Sequence, residues 1–86
     1  MVTVELYGLP RLRAGAERCE LAPGRLRELL AALAAALPGL VPDILRDGGL
    51  SEHALLAVDG RDLLSDPEAQ VPDGAVLVLI SAQAGG

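Results

Sequence analysis

Near its end the chain carries Ala75-Val76-Leu77-Val78-Leu79-Ile80, an apolar run without a polar interruption. A short continuous run bounded by turn residues is the pattern of a strand buried on both faces. Its start is marked by Val71-Pro72-Asp73-Gly74, a turn sequence. Such a strand needs a neighbour on each side and something over each face. The rest of the chain has to supply them. The run leads directly into Ser81-Ala82-Gln83-Ala84-Gly85-Gly86. Those small residues divide the chain into a body, residues 1–80, and an expected flexible tail, residues 81–86. Glycine lacks a Cβ, so Gly85-Gly86 can enter a cleft too narrow for a side chain.

The neighbours are legible upstream. Val2-Thr3-Val4-Glu5-Leu6 alternates apolar with polar, the mark of a half-buried strand. Gly8 and Pro10 end it, residues 9–16 read as a loop, and Glu17-Arg18-Cys19-Glu20-Leu21 alternates again, which suggests a hairpin. After Pro23-Gly24, Leu26, Leu29, Leu30, Leu33 and Leu37 recur at the spacing of one helical face. Arg25 stands where Ser, Thr or Asp would cap that helix, so its N-terminus looks weakly held. Pro38-Gly39 stops it. Leu40 to Leu45 suggests a short second helical turn starting at Pro42, and Asp47-Gly48-Gly49 a flexible loop. Ala54-Leu55-Leu56-Ala57-Val58 reads as a strand, Asp59-Gly60 as a hairpin turn, and Arg61 to Leu64 as the return strand. Residues 65–73 read as a connector.

The order is β-β-α-β-β-β, an α+β arrangement in which one main helix packs on one face of a mixed sheet. The first and last strands are expected to pair in parallel. One helix covers one face only. The other face leaves either Val76, Val78 and Ile80 or Leu77 and Leu79 toward solvent, with Tyr7 and Leu55 or Leu56 beside them; an apolar patch of that kind marks a protein interface unless the connector covers it. We assign the partner interface to Tyr7, Leu77 and Leu79.

Composition narrows the function classes. The chain has 86 residues, 51% of them hydrophobic and 22% charged, which fits one small globular domain. Its net charge of -5 argues against nucleic acid, because phosphate binding needs a cationic surface. Tyr7 is the only aromatic residue, so base-stacking platforms are missing as well. The apolar stretch from Leu29 to Leu37 is far short of the ~20 residues that span a bilayer. No signal peptide is evident at the N-terminus, and the expectation is a cytoplasmic protein without membrane partners. A single cysteine, Cys19, excludes an internal disulfide and reads as a core thiol. No pair of His or Cys has metal-ligand spacing, so no metal is expected. Gly48-Gly49 lacks the Lys and Ser/Thr of a phosphate loop. All seven basic residues are arginines.

Several short pieces then fall into one order: the first strand with Tyr7-Gly8, Leu12-Arg13 before Gly15, Pro23-Gly24 before Glu28-Leu29-Leu30, Val58-Asp59-Gly60, Asp73-Gly74-Ala75-Val76 and the final Gly-Gly. Over essentially its whole length the chain resembles the MoaD/ThiS family of sulfur carriers. The long segment between helix and third strand is more similar to the MoaD branch. The resemblance implies a ubiquitin-like β-grasp fold. It also implies that the Gly86 carboxylate is adenylated by a ubiquitin-activating-enzyme-like adenylyltransferase, which uses ATP, and is then converted to a thiocarboxylate. Gly85 and Ala84 would thread the channel of that enzyme. The chain itself would hold no cofactor and act as a carrier without catalytic apparatus. Its sulfur-accepting partner would be the large subunit of molybdopterin synthase. Thiamine, cysteine or tRNA thiolation are alternative pathways, and conjugation to proteins through Gly86, as a ubiquitin-like modifier, is another.

Overall fold

The computed structural model describes residues 1–82. Strand β1, Val2–Leu6, pairs antiparallel with β2, Arg18–Leu21, and parallel with β9, Val76–Ser81. On its other side β9 pairs antiparallel with β6, Ala54–Val58, which carries β7, Asp62–Leu63, at the edge. The sheet order is β2-β1-β9-β6-β7, with the apolar run at its centre. Two short ladders accompany it: β3, Gly24–Arg25, with β8, Gln70–Val71, and β4, Leu45–Arg46, with β5, Gly49–Leu50.

The main helix, α2 (Leu26–Ala36), buries Leu26, Leu29, Leu30 and Leu33 against one face of the sheet. The opposing side chains are Val2, Val4, Leu6, Leu56, Leu77 and Leu79, all buried. Leu40, Ile44 and Leu45 fill the core from the segment after the helix. The poor cap at Arg25 has a tertiary remedy. A guanidinium offers no acceptor, so the first helical N–H groups find carbonyls elsewhere: Leu26 donates to Ala69 at 2.9 Å and Arg27 to Pro67 at 3.0 Å. Glu28 reaches back to accept from the Arg25 N–H at 2.8 Å. The 65–73 connector is thus a helix cap, and β8 is the part of it that pairs with β3.

Three local expectations give way. Residues 9–14 form a short helix, α1 (Leu9–Ala14), because Pro10 sits in its first turn, where proline lacks only an N–H that had no partner anyway. Gly15 ends it at φ 70. Instead of a second helical turn from Pro42, a 3-10 turn covers Pro38–Leu40 and the chain continues through turns into β4. Asp47-Gly48 is a tight hairpin turn, not a loose loop: both residues have positive φ, 52 and 79, and Arg46 faces Gly49 directly.

Candidate functional site

The sheet face turned away from α2 is the candidate site. The parity of β9 follows from its parallel register with β1: Val4 lies beside Leu77 and Leu6 beside Leu79, all on the helix side. Leu77 is 1% exposed and Leu79 0%. The assignment of these two leucines to a partner interface is therefore corrected. They are core residues, and the open face of β9 belongs to Val76, Val78 and Ile80, each half-buried. The strand is covered fully on one face rather than on both. Tyr7 does lie on the open side, following Thr3 and Glu5, and is 45% exposed.

Cross-strand register assembles the rest of this face. Leu55 sits beside Ile80 and Ala57 beside Val78 on β6, and Leu63 lies beside Ala57 on β7 with 68% exposure. The half toward β7 is thus apolar. The half toward β2 is polar. Thr3 Oγ1 donates to Glu20 at 3.0 Å, the Tyr7 hydroxyl donates to Glu5 at 3.0 Å, and Arg11 on α1 donates to Glu17 at 2.8 Å. The Arg11 guanidinium also lies over the Tyr7 ring, 5.7 Å from its centroid. The hydrogen bond to Glu5, and then the charge of that carboxylate, raise the phenol pKa above its ordinary value. Cys19 lies on the opposite, helix-facing side of β2, opposite Val4. Its thiol pKa is raised, first by burial and second by Glu20. It is a core-edge thiol rather than a reactive one.

β1 and β9 are parallel, so the end of β9 emerges beside Tyr7. The Tyr7 N–H donates to Leu79 O at 3.1 Å, and on the other flank the Ala82 N–H donates to His53 O at 2.9 Å. The sheet therefore continues past Ile80: Ser81 closes β9 and Ala82 is still bonded to the body. Ala84, Gly85 and Gly86, the residues expected to thread and react, lie outside the described residues. One residue before His53, Glu52 lies 3.3 Å from Arg46 and 3.5 Å from the His53 ring. Among the described residues no group of three or more His, Cys, Asp or Glu is placed to hold a metal ion, and no helix is long and apolar enough to cross a membrane.

The sequence left Val76, Val78 and Ile80 as the alternative to Leu77 and Leu79, with Leu55 or Leu56 beside them; the choice fell on the buried pair, and Leu63 was not placed on the face at all. One signal for the choice was present. The alternation in β1 puts Val2, Val4 and Leu6 inside, and a parallel register with β9 then sends alternate residues of the apolar run the same way. The offset of that register is what the sequence withholds.

A five-stranded mixed sheet with one main helix on one face and its last strand at the centre defines a ubiquitin-like β-grasp protein. No protein-family model and no curated protein matches the sequence. Solved structures do. SAMP1 from Haloferax volcanii is 25% identical with a TM-score of 0.78, covering 99% of this chain and 98% of its own. The complex of subunits 1 and 2 of the molybdopterin-converting factor from Helicobacter pylori contains a chain 25% identical, TM-score 0.69, covering 99% of this chain and 97% of its own. The BexX/CysO complex from Amycolatopsis orientalis contains one 22% identical, TM-score 0.79, with 100% of both chains covered, a likeness of fold. Within the β-grasp class the protein is MoaD/ThiS-like, similar to sulfur carriers and small archaeal modifiers.

Proposed function

We propose that this chain is a sulfur carrier whose Gly86 carboxylate is activated and thiolated, acting as the MoaD-like small subunit of a molybdopterin synthase. The observation that carries the reading is the central strand. β9 is locked in the sheet, presents Val76, Val78 and Ile80 on an open apolar face, and leads into the Gly-Gly segment. A partner that covers this face receives the segment at its edge.

The chemistry needs a partner because a carboxylate is a poor acyl donor: its leaving group would be oxide. An adenylyltransferase of the ubiquitin-activating type transfers AMP from ATP to the Gly86 carboxylate and releases pyrophosphate. A persulfide sulfur then attacks the acyl carbon and AMP leaves. Cleavage of the sulfur–sulfur bond by a thiol frees the thiocarboxylate. Two neighbours support the partner: the molybdopterin-converting factor and CysO structures are both complexes. The likeness to SAMP1 favours a second reading, a modifier joined to target lysines through the same carboxylate.

Intact mass after co-expression with the adenylyltransferase tests the proposal. The expected result is a gain equal to one sulfur-for-oxygen exchange, located on the last residue. An unchanged mass overturns the carrier reading, and isopeptide adducts on other proteins select the modifier. Deleting Gly86 abolishes either product while leaving thermal unfolding unchanged.

A further inference from the structure

We propose that the turn at residues 51–53 is a positioning element for the C-terminal segment, with Ser51 acting through the His53 carbonyl on Ala82. The proposal rests on the carrier reading for its consequence, though not for its geometry. Ser51 is the one polar residue classed as buried among the described residues, at 8% exposure. A buried hydroxyl is costly unless bonded, and this one is bonded twice. It donates to Asp43 O and accepts from the His53 N–H at 3.1 Å. The Ser51 N–H donates to Ile44 O at 2.9 Å, and Ile44 is fully buried. The turn is therefore fastened to the core before it reaches the surface.

From that anchor the His53 carbonyl is aimed at the last described residue, and accepts from Ala82 N–H at 2.9 Å. The flank on β1 behaves differently. There the Tyr7 N–H donates to Leu79 O, and Gly8, at φ 61 and ψ -133, then turns the chain away into α1. The His53–Ala82 bond on the β6 side thus helps to set the point from which the C-terminal segment departs. A reaction at a carboxylate delivered into another enzyme depends on that departure point, since a misplacement of ~1 Å can cost on the order of a hundredfold in rate. Ser51 touches neither the reacting atoms nor the partner face, so its role is positioning.

Two measurements on Ser51→Ala and Ser51→Thr test this. In the isolated protein, Ser51→Ala speeds hydrogen exchange of the Ala82 amide by about tenfold or more while the Leu56 and Leu77 amides keep their protection, and Ser51→Thr, which retains the hydroxyl, behaves as the parent. In ATP–pyrophosphate exchange with the adenylyltransferase, Ser51→Ala lowers kcat by roughly tenfold to a hundredfold at unchanged KM, because the docking face is intact. Equal acceleration of all three amides means a merely structural role and overturns the proposal. So does a change in KM alone. If Ser51→Ala does not fold, Ala82→Pro deletes the donor to His53 without touching the core, and Ala82→Gly keeps it; equal kcat for these two overturns the proposal as well. A parent protein that is never adenylated defeats the carrier reading instead, and the exchange of Ala82 still decides the clamp.

Discussion

Tyr7 shows how one side chain reports on the whole open face. It is the only aromatic residue of the chain, so phenolate absorbance belongs to it alone. Its hydroxyl donates to Glu5, and a hydrogen bond to the neutral phenol disfavours ionisation. The titration midpoint is expected above 10.0, the ordinary value. Replacing Glu5 by Gln removes the charge and brings the midpoint down toward that value. A parent midpoint at or below 10.0 would show that the Tyr7–Glu5 contact does not persist in solution. The sign carries over to stability. A folded pKa above the unfolded one favours the protonated phenol in the native state, so this contribution is fully present below pH 10.0 and is lost as pH rises through the folded value. The alkaline limb of stability should therefore be flatter in Glu5→Gln, which urea midpoints measured across that range would detect. Exposure of Tyr7 to solvent keeps the effect small.

At the scale of elements, two glycines are required for different reasons. Gly39 lies in the 3-10 turn, and a Cβ placed there would sit 2.0 Å from the Arg13 carbonyl oxygen. That contact is backbone, so α1 would have to move. Gly39→Ala is expected to cost ~1–3 kcal/mol, the range of overpacking, and to lower the urea midpoint. Gly48 has open space around its Cβ position but φ of 79, so Gly48→Ala should cost ~1–2 kcal/mol through backbone strain alone. If Gly39→Ala is neutral, α1 is not held against the turn. These elements also show where sequence legibility ended. The strands with clean alternation, the leucine face of α2 and the central position of β9 were all readable, because each depends on a period within one element. What escaped was set between elements. Pro10 reads as a terminator unless α1 has something to pack on. Asp47-Gly48 carries the same dipeptide as Asp59-Gly60, but its flanking strands are only two residues each, too short to show a period. The carbonyls of Pro67 and Ala69 that cap α2 come from far along the chain. For the site, Tyr7 was placed on the open side, where it lies, and β9 was chosen, but its buried face was named. An apolar run carries no alternation, and only the register with β1 breaks the tie.

For the molecule as a whole, the proposed docking face and the core lie on opposite faces of β9, and substitutions on adjacent residues can divide them. Leu79 is fully buried between the sheet and the core, so Leu79→Ala should lose ~2–5 kcal/mol of stability, the cost of lost burial plus the cavity. Val78, its neighbour, points the other way, with Glu5 beside it on β1 and Ala57 on β6. An arginine at Val78 can pair with Glu5, a cross-strand pair of opposite charge contributing ~0.2–1 kcal/mol, and its aliphatic stem can lie over Ala57. Val78→Arg should therefore fold with an unfolding temperature close to the parent. The same ion pair would have to be desolvated once a partner's apolar surface closes over Val76, Ile80 and Leu63, and the attraction within a buried pair often fails to repay that cost. Loss of ~2 kcal/mol or more is expected at such a position, which weakens binding by about thirtyfold. Calorimetric titration against the two proposed partners, a large synthase subunit and an adenylyltransferase, with thermal unfolding in parallel, checks both halves. If Val78→Arg binds both proteins as tightly as the parent, the open face is not the docking surface and the reading built on it falls. If it unfolds while Leu79→Ala does not, the parity of β9 is reversed. Loss of binding to one protein but not the other would divide the face between its two partners, with the apolar half read by the one that fails.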